Sequence, residues 1–233
     1  MRRAVLFDLY DTLVRVEYGP VMASRDRIAT ACNVDVEQFR GLWNQNLAER
    51  SLGALGTLED EITAMLAMLC PDVDAALVGE LAAGDRAAWA EAAKLYPDVH
   101  PTMAALRERG FALGLVSNCS CQAADVIVTA GLDQHLQALA LSFELGVSKP
   151  APAIFLAACE QLKVAPAQCV YVADGSEGEL ETAIRLGMFA VWVDRPHRRN
   201  RNPTPATYDV RIDELAEILT IDELTQAHLQ PAR

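Results

Sequence analysis

The chain has 233 residues, 52% of them hydrophobic, which excludes a disordered protein and suits one large domain or a core domain with a smaller companion. A formal charge of −12, from 32 acidic against 20 basic residues, argues against nucleic acid as the main partner. It also means that an anionic substrate is held by local donors and not by the overall field. The six cysteines are scattered without a zinc-type pair of C-x-x-C elements and read as reduced thiols of a cytoplasmic protein. The apolar run after Met1-Arg2-Arg3 is cut short at Asp8, and no uncharged stretch reaches the roughly 18 residues of a membrane span. The expectation is a soluble, cytoplasmic protein with no membrane partner.

Ala4-Val5-Leu6-Phe7 is an unbroken apolar run without helical spacing, the pattern of a central parallel strand buried on both faces. From Val14 to about Leu95 the texture is helical, with apolar residues at three- and four-residue steps over Val21 to Ala31, Val36 to Arg50, Leu58 to Leu69 and Asp74 to Ala93. Asp35 and Thr57 are the expected N-caps, and Thr57 with Asp60 makes an acidic capping box. Strands and helices alternate from Tyr96 onward: helix Pro101 to Arg109, strand Phe111 to Val116, helix Ala123 to Ala130, strand Leu139 to Leu141, helix Pro152 to Leu162. Strand Cys169 to Ala173, helix Glu179 to Leu186 and strand Phe189 to Val193 follow. The alternation predicts a doubly wound α/β core with a parallel sheet, made of residues 1–14 and 96–219, with an inserted α-helical domain over residues 15–95. A short strand at Tyr208-Asp209-Val210, a closing helix from Ile212 to Leu219 and a tail over residues 220–233 complete the reading. The basic run Arg195 to Arg201 reads as a solvated loop, with a donor cluster for an anionic substrate as the alternative.

Polar residues stand where apolar strands end. Asp8 follows the first strand, Ser117 and Asn118 the second, Lys149 the loop beyond Leu139 to Leu141, and Asp174 the strand Cys169 to Ala173. The carboxyl ends of parallel strands share one rim, where α/β proteins bind ligands. Two carboxylates there favour a divalent cation with oxygen ligands. Ser117, Lys149 and the N–H groups of the turn after Asp8 then suit phosphate oxygens. The set suits attack by a carboxylate on phosphorus.

These residues resemble, in order, the four motifs of the haloacid dehalogenase superfamily: Asp8-Leu9-Tyr10-Asp11-Thr12, Ser117 with Asn118, Lys149 with Pro150, and Asp174 with Glu179. The resemblance implies a Rossmann-like core with a helical cap, and a small-molecule substrate. It makes Asp8, Tyr10, Ser117 and Lys149 the catalytic set, with Leu9, Thr12, Ser117, Asn118 and Lys149 binding substrate. It implies Mg²⁺ held by Asp8, the backbone carbonyl of Tyr10, Asp174 and Glu179. Family phosphatases usually carry an Asp acid where this chain has Tyr10, as the 2-haloacid dehalogenases do. Those dehalogenases use no metal and typically have Ser at the place of Asp174, and in the cap Asn44 stands nearest to where they present an Arg to the halide and carboxylate, with Arg40 and Arg50 nearby. The reading prefers a Mg²⁺-dependent phosphatase, and keeps a metal-independent dehalogenase and a non-catalytic ligand-binding member as alternatives. Cys119 and Cys121 read as packed thiols, and Trp43 and Trp89 as cap core more than pocket lining. An apolar cap face leaves a homodimer open.

Overall fold

The computed structural model describes residues 2–196 and 204–225. In chain order the elements are β1 (Ala4–Phe7), β2 (Val14–Val16), α1 (Tyr18–Ala31), α2 (Val36–Gln45), α3 (Leu47–Ser51), α4 (Leu58–Ala67), α5 (Ala75–Ala92), β3 (Ala93–Leu95), α6 (Val99–Glu108) and β4 (Ala112–Ser117). There follow α7 (Gln122–Thr129), β5 (Ala138–Leu141), α8 (Ser142–Leu145), α9 (Pro152–Leu162), β6 (Cys169–Ala173), α10 (Glu179–Arg185), β7 (Phe189–Val193), β8 (Val210–Ile212) and α11 (Asp222–Thr225). No helix among the described residues is long and apolar enough to cross a membrane.

All four residues of β1 are fully buried. The strand pairs in parallel with β4 on one side and β6 on the other, inside a six-stranded sheet of order β5-β4-β1-β6-β7-β8. Side chains alternate between its faces, so Val5 and Phe7 join Val170, Val172, Val191 and Val193 on one side, under α6 and α7. Ala4, Leu6, Tyr171 and Ala190 point to the other side, under α9 and α10. Covering both faces is what the continuous apolar strands require. The doubly wound parallel sheet expected from the alternation is therefore present, and its carboxyl ends gather Asp8, Ser117 and Asp174 on one rim.

The helices α1 to α5 have an apolar cluster of their own, with Ile28, Phe39, Trp43, Ile62, Met65 and Val78 at its heart. Asp35 caps α2 by accepting from the Gln38 N–H at 2.8 Å, and Thr57 and Asp60 form the reciprocal capping box of α4. The uninterrupted helical texture from Val14 to Leu95 needs correcting at both ends. Val14–Val16 and Ala93–Leu95 form an antiparallel ribbon, pairing Val14 with Leu95 and Val16 with Ala93. Strands of three residues are too short to display a period of two. The helix read from Val36 to Arg50 is broken at Asn46, whose side-chain amide donates to the Leu42 carbonyl at 2.8 Å. At the C-terminal end Ile212 belongs to β8, beside Val193, and a 3₁₀ segment at Leu215–Thr220 replaces the closing helix. There Glu217 accepts from the N–H groups of Asp213 and Glu214, tightening the turn. Residues 226–233 of the expected tail lie outside the described residues.

Candidate active site

Asp8 leaves the end of β1 with its N–H donating to Val172 of β6 at 2.9 Å, which fixes the backbone between the two central strands. Its carboxylate is buried. Oδ1 accepts from Lys149 Nζ at 2.5 Å and Oδ2 from the Thr12 hydroxyl at 3.1 Å. Burial pushes the Asp8 carboxyl above its ordinary range; Lys149 pulls against this and the neighbouring Asp174 adds to it. Burial is the largest single influence on the Lys149 ammonium and would lower it, but Asp8, Tyr171, Glu177 and Glu179 together outweigh it, and Lys149 stays protonated. Glu177 lies 3.2 Å from the same ammonium. Lys149 is thus a single buried cation facing several carboxylates.

Ser117 ends β4 fully buried, and its hydroxyl has no hydrogen-bond partner. An orphaned buried hydroxyl costs free energy, and a ligand oxygen at the rim would recover it. Asn118 serves the neighbouring loop: its amide donates to the Lys149 carbonyl at 3.0 Å and accepts from the Lys149 N–H at 2.7 Å. The two bonds hold the segment that aims Lys149 at Asp8, and the Lys149-Pro150 peptide within it is cis. Leu9 is buried and its carbonyl accepts from the N–H groups of Leu13 and Val14, closing the turn. Asp11 takes a left-handed backbone, φ 58°, and donates its N–H to Val14 at 2.6 Å. Tyr10 packs on Trp89 with ring centroids 6.1 Å apart, and burial holds its hydroxyl far above the ordinary phenol range.

Asp174 follows β6. Its Oδ1 accepts from the Ser176 N–H at 3.1 Å and hydroxyl at 2.9 Å, and its carbonyl accepts from Trp192 Nε1 at 3.0 Å. Gly175 is required here: its φ is +79°, and a Cβ would stand 2.2 Å from Pro205 Cγ. Glu179 opens α10 fully buried. Its Oε2 accepts from the Glu177 N–H at 2.6 Å, while Oε1 has no partner. Burial, with Asp8 and Asp174 nearby, raises its carboxyl to about 7. Among the described residues no three His, Cys, Asp or Glu side chains converge as a ready-made metal cage. The hard oxygen donors of Asp8 and Asp174, with the orphaned Glu179 oxygen close by, fit a cation that keeps several waters, as Mg²⁺ does.

A cavity of about 300 Å³ opens against this rim. Tyr10, Asn118, Cys119 and Ser120 line it from the core, and Tyr18, Trp43 and Trp89 line it from the helical insertion. The two tryptophans read as cap core therefore also form its wall. Cys119 and Cys121 are packed, and burial pushes both thiols up to about 12.

Of two further arginines of this wall, sequence reasoning missed Arg25 and placed Arg50 only near the position where a dehalogenase presents an Arg. Arg25 and Arg50 lie over the Trp43 ring, 3.5 and 4.4 Å from its centroid, and both are buried. Arg25 was legible in principle, because it shares the buried stripe of α1 with Val21, Ile28 and Ala29. Arg195, read as part of a solvated loop or a donor cluster, is neither. It is buried, donates to both Asp98 oxygens at 2.7 and 3.0 Å, and reaches the Thr12 carbonyl at 3.0 Å. Residues 197–201 of that run lie outside the described residues.

The family model for haloacid dehalogenase-like hydrolases matches residues 2–187. A glyceraldehyde 3-phosphate phosphatase from Methanopyrus kandleri is 35% identical over 131 residues, 55% of this chain and 56% of that protein. A phosphoserine phosphatase from Thermus thermophilus is 34% identical over 131 residues, 56% and 52% of the two chains. The chain thus spans about half the length of these curated relatives. Two solved structures share the fold across 94% of this chain: a phosphatase of the family from Thermococcus onnurineus (TM-score 0.67, 23% identity, 96% of that chain) and a 2-haloacid dehalogenase from Pseudomonas syringae pv. Tomato DC3000 (TM-score 0.71, 22% identity, 97% of that chain). From its motifs, its sheet and the match over residues 2–187, the chain belongs to the haloacid dehalogenase-like hydrolases.

Proposed function

We propose that the chain is a Mg²⁺-dependent phosphatase of a small phosphorylated metabolite, with Asp8 as the nucleophile. One Asp8 oxygen attacks phosphorus, the bond from phosphorus to the ester oxygen breaks, and the leaving alkoxide takes up a proton from water. Water then attacks the phosphorus of the aspartyl-phosphate, releasing phosphate and restoring Asp8. The Lys149 ammonium and the Ser117 hydroxyl hold the phosphoryl oxygens, Thr12 fixes the second Asp8 oxygen, and Leu9 and Thr12 form the turn that receives the phosphate. Asn118 binds through the Lys149 loop that it positions. Asp8, the Tyr10 carbonyl, Asp174 and Glu179 would hold Mg²⁺, which when bound neutralises phosphate charge. Residues 15–95 act as the cap that covers the site.

The observation that carries this reading is the second carboxylate, Asp174, which follows β6, the strand paired in parallel with the one that Asp8 follows. With Glu177 and Glu179 nearby and Lys149 the cation they share, the rim has an excess of negative charge. That excess would repel a bare haloacid and is complemented by a divalent cation with a phosphate. The phosphatase names of the relatives support the same choice. Tyr10 favours the second reading, a metal-independent dehalogenase in which Asp8 attacks carbon and no leaving-group acid is needed.

The test is phosphate release from p-nitrophenyl phosphate with Mg²⁺ and with EDTA, beside chloride release from 2-chloropropionate. Metal-dependent phosphate release that disappears in Asp8→Asn is the expected result. Chloride release in EDTA would establish the dehalogenase instead. Thermal stabilisation by phosphate esters with no turnover in either assay would point to a binding protein.

A further inference from the structure

The cavity wall is cationic in a protein of formal charge −12. Three arginines, Arg25, Arg40 and Arg50, line it, and among the described residues no carboxylate does. Arg40 is committed elsewhere, to both oxygens of Asp26 at 2.7 and 2.6 Å and to Glu37 at 2.9 Å. Arg25 and Arg50 are different. Arg25 is 3% exposed and Arg50 5%, and both keep a buried donor without a hydrogen-bond partner: Nη1 of Arg25 and Nε of Arg50. Their counter-charges do not line the cavity. Asp85 lies 2.9 Å from Arg25, but Glu61 is 3.8 Å from Arg50 and also accepts from the Cys121 thiol at 3.5 Å.

Each guanidinium is partly held, Arg25 by Asp85 at 2.9 Å and Arg50 by donating to the Trp43 carbonyl at 3.2 Å, and the one buried donor left unpartnered on each is costly. A planar, fork-shaped cation resting on an indole is suited to an anionic oxygen pair. The same cavity reaches Tyr10, Asn118 and Cys119 beside the phosphate rim, and 300 Å³ suits a small metabolite.

We infer that Arg25 and Arg50, seated on Trp43, recognise a second anionic group at the far end of the substrate, so that the preferred substrate is a small phosphomonoester carrying a carboxylate or second phosphate. This rests on the phosphatase reading for its first group only. The two arginines set specificity; the chemistry at Asp8 does not pass through them.

The experiment compares 3-phosphoglycerate with glycerol 3-phosphate, which replaces the carboxylate by a hydroxymethyl, and adds 1,3-propanediol bisphosphate to separate a carboxylate from a phosphate. The expected kcat/KM preference for an anionic far end is at least about tenfold, the scale of one charge-assisted hydrogen bond. In Arg25→Gln/Asp85→Asn, which removes charge and counter-charge together, that ratio falls toward one. Calorimetric binding of the same three esters to Asp8→Asn reads the ratio without turnover. If no ester is hydrolysed by the parent protein but the binding ratio persists, the phosphatase reading fails and the anion site stands. Equal kcat/KM or equal binding for charged and neutral far ends overturns the anion site, whatever the activity.

Discussion

Tyr10 stands two residues after Asp8, in the cavity wall and against Trp89, and burial keeps its hydroxyl protonated far above neutral pH. A phenol in that state does not give up a proton to a leaving group at useful speed, so in the proposed phosphatase an alkoxide leaving group takes its proton from water and alkyl phosphates turn over slowly. Tyr10→Asp should raise kcat for an alkyl phosphate by about 10²-fold or more, the usual scale of general acid catalysis, and leave p-nitrophenyl phosphate turnover nearly unchanged. Steady-state rates on the two esters check it; an equal change on both would remove the argument about proton delivery. At this scale the gathering of Asp8, Ser117 and Asp174 on one rim was legible because each ends a buried apolar strand, and Lys149 reaches Asp8 from the loop before α9. Arg25 was passed over, because a charge on a helix ordinarily marks its solvent face, and Arg50 was placed only near the expected cap arginine. Only packing reveals that these two turn inward onto Trp43.

Among the elements, β4 owes its close approach to β1 to Gly114, where an added Cβ would stand 2.8 Å from Leu6 Cδ2 and 3.2 Å from Ala138 Cβ. Gly114→Ala overpacks the middle of the sheet and should cost about 1–3 kcal/mol, seen as a lower denaturation midpoint with an unchanged m-value. Between α6 and the segment after α7, His100 Nδ1 and His135 Nε2 are 3.1 Å apart. Burial first, then His100 and Arg107, lower the His135 pKa. A base whose folded pKa is depressed binds fewer protons folded than unfolded, so stability falls as pH drops through the unfolded value of about 6.5. Melting temperature should therefore decline between about pH 7.5 and 5.5, and the decline should shrink in His135→Gln. An identical pH slope in that variant would assign the loss to other groups. The long elements were readable from periodicity, and β6, β7 and α9 have the bounds expected. The β2–β3 ribbon, the break at Asn46 and the 3₁₀ segment were not, because each depends on a distant partner or on a single side-chain bond.

In the whole molecule the apolar strands fix the order of the sheet, the sheet fixes one rim, and the helical insertion supplies the opposite wall of the cavity. The insertion meets the core at several points, including the Ser142 hydroxyl donating to Ser51 at 2.6 Å and Arg86 at 3.5 Å from Asp125. Doubly wound topology could be read from alternation alone, whereas the meeting of Trp43 and Tyr10 in one cavity depends on how two separate apolar clusters dock. The central claim at this scale is that the rim transfers a phosphoryl group to Asp8. Its most direct measurement is a single turnover of p-nitrophenyl phosphate with Mg²⁺, stopped in acid, with the peptide containing Asp8 analysed by mass spectrometry. The account predicts a phosphoryl group on Asp8 that is absent from Asp8→Asn. Phosphate release with Asp8 unmodified at every quench time, or retained in Asp8→Asn, would contradict it.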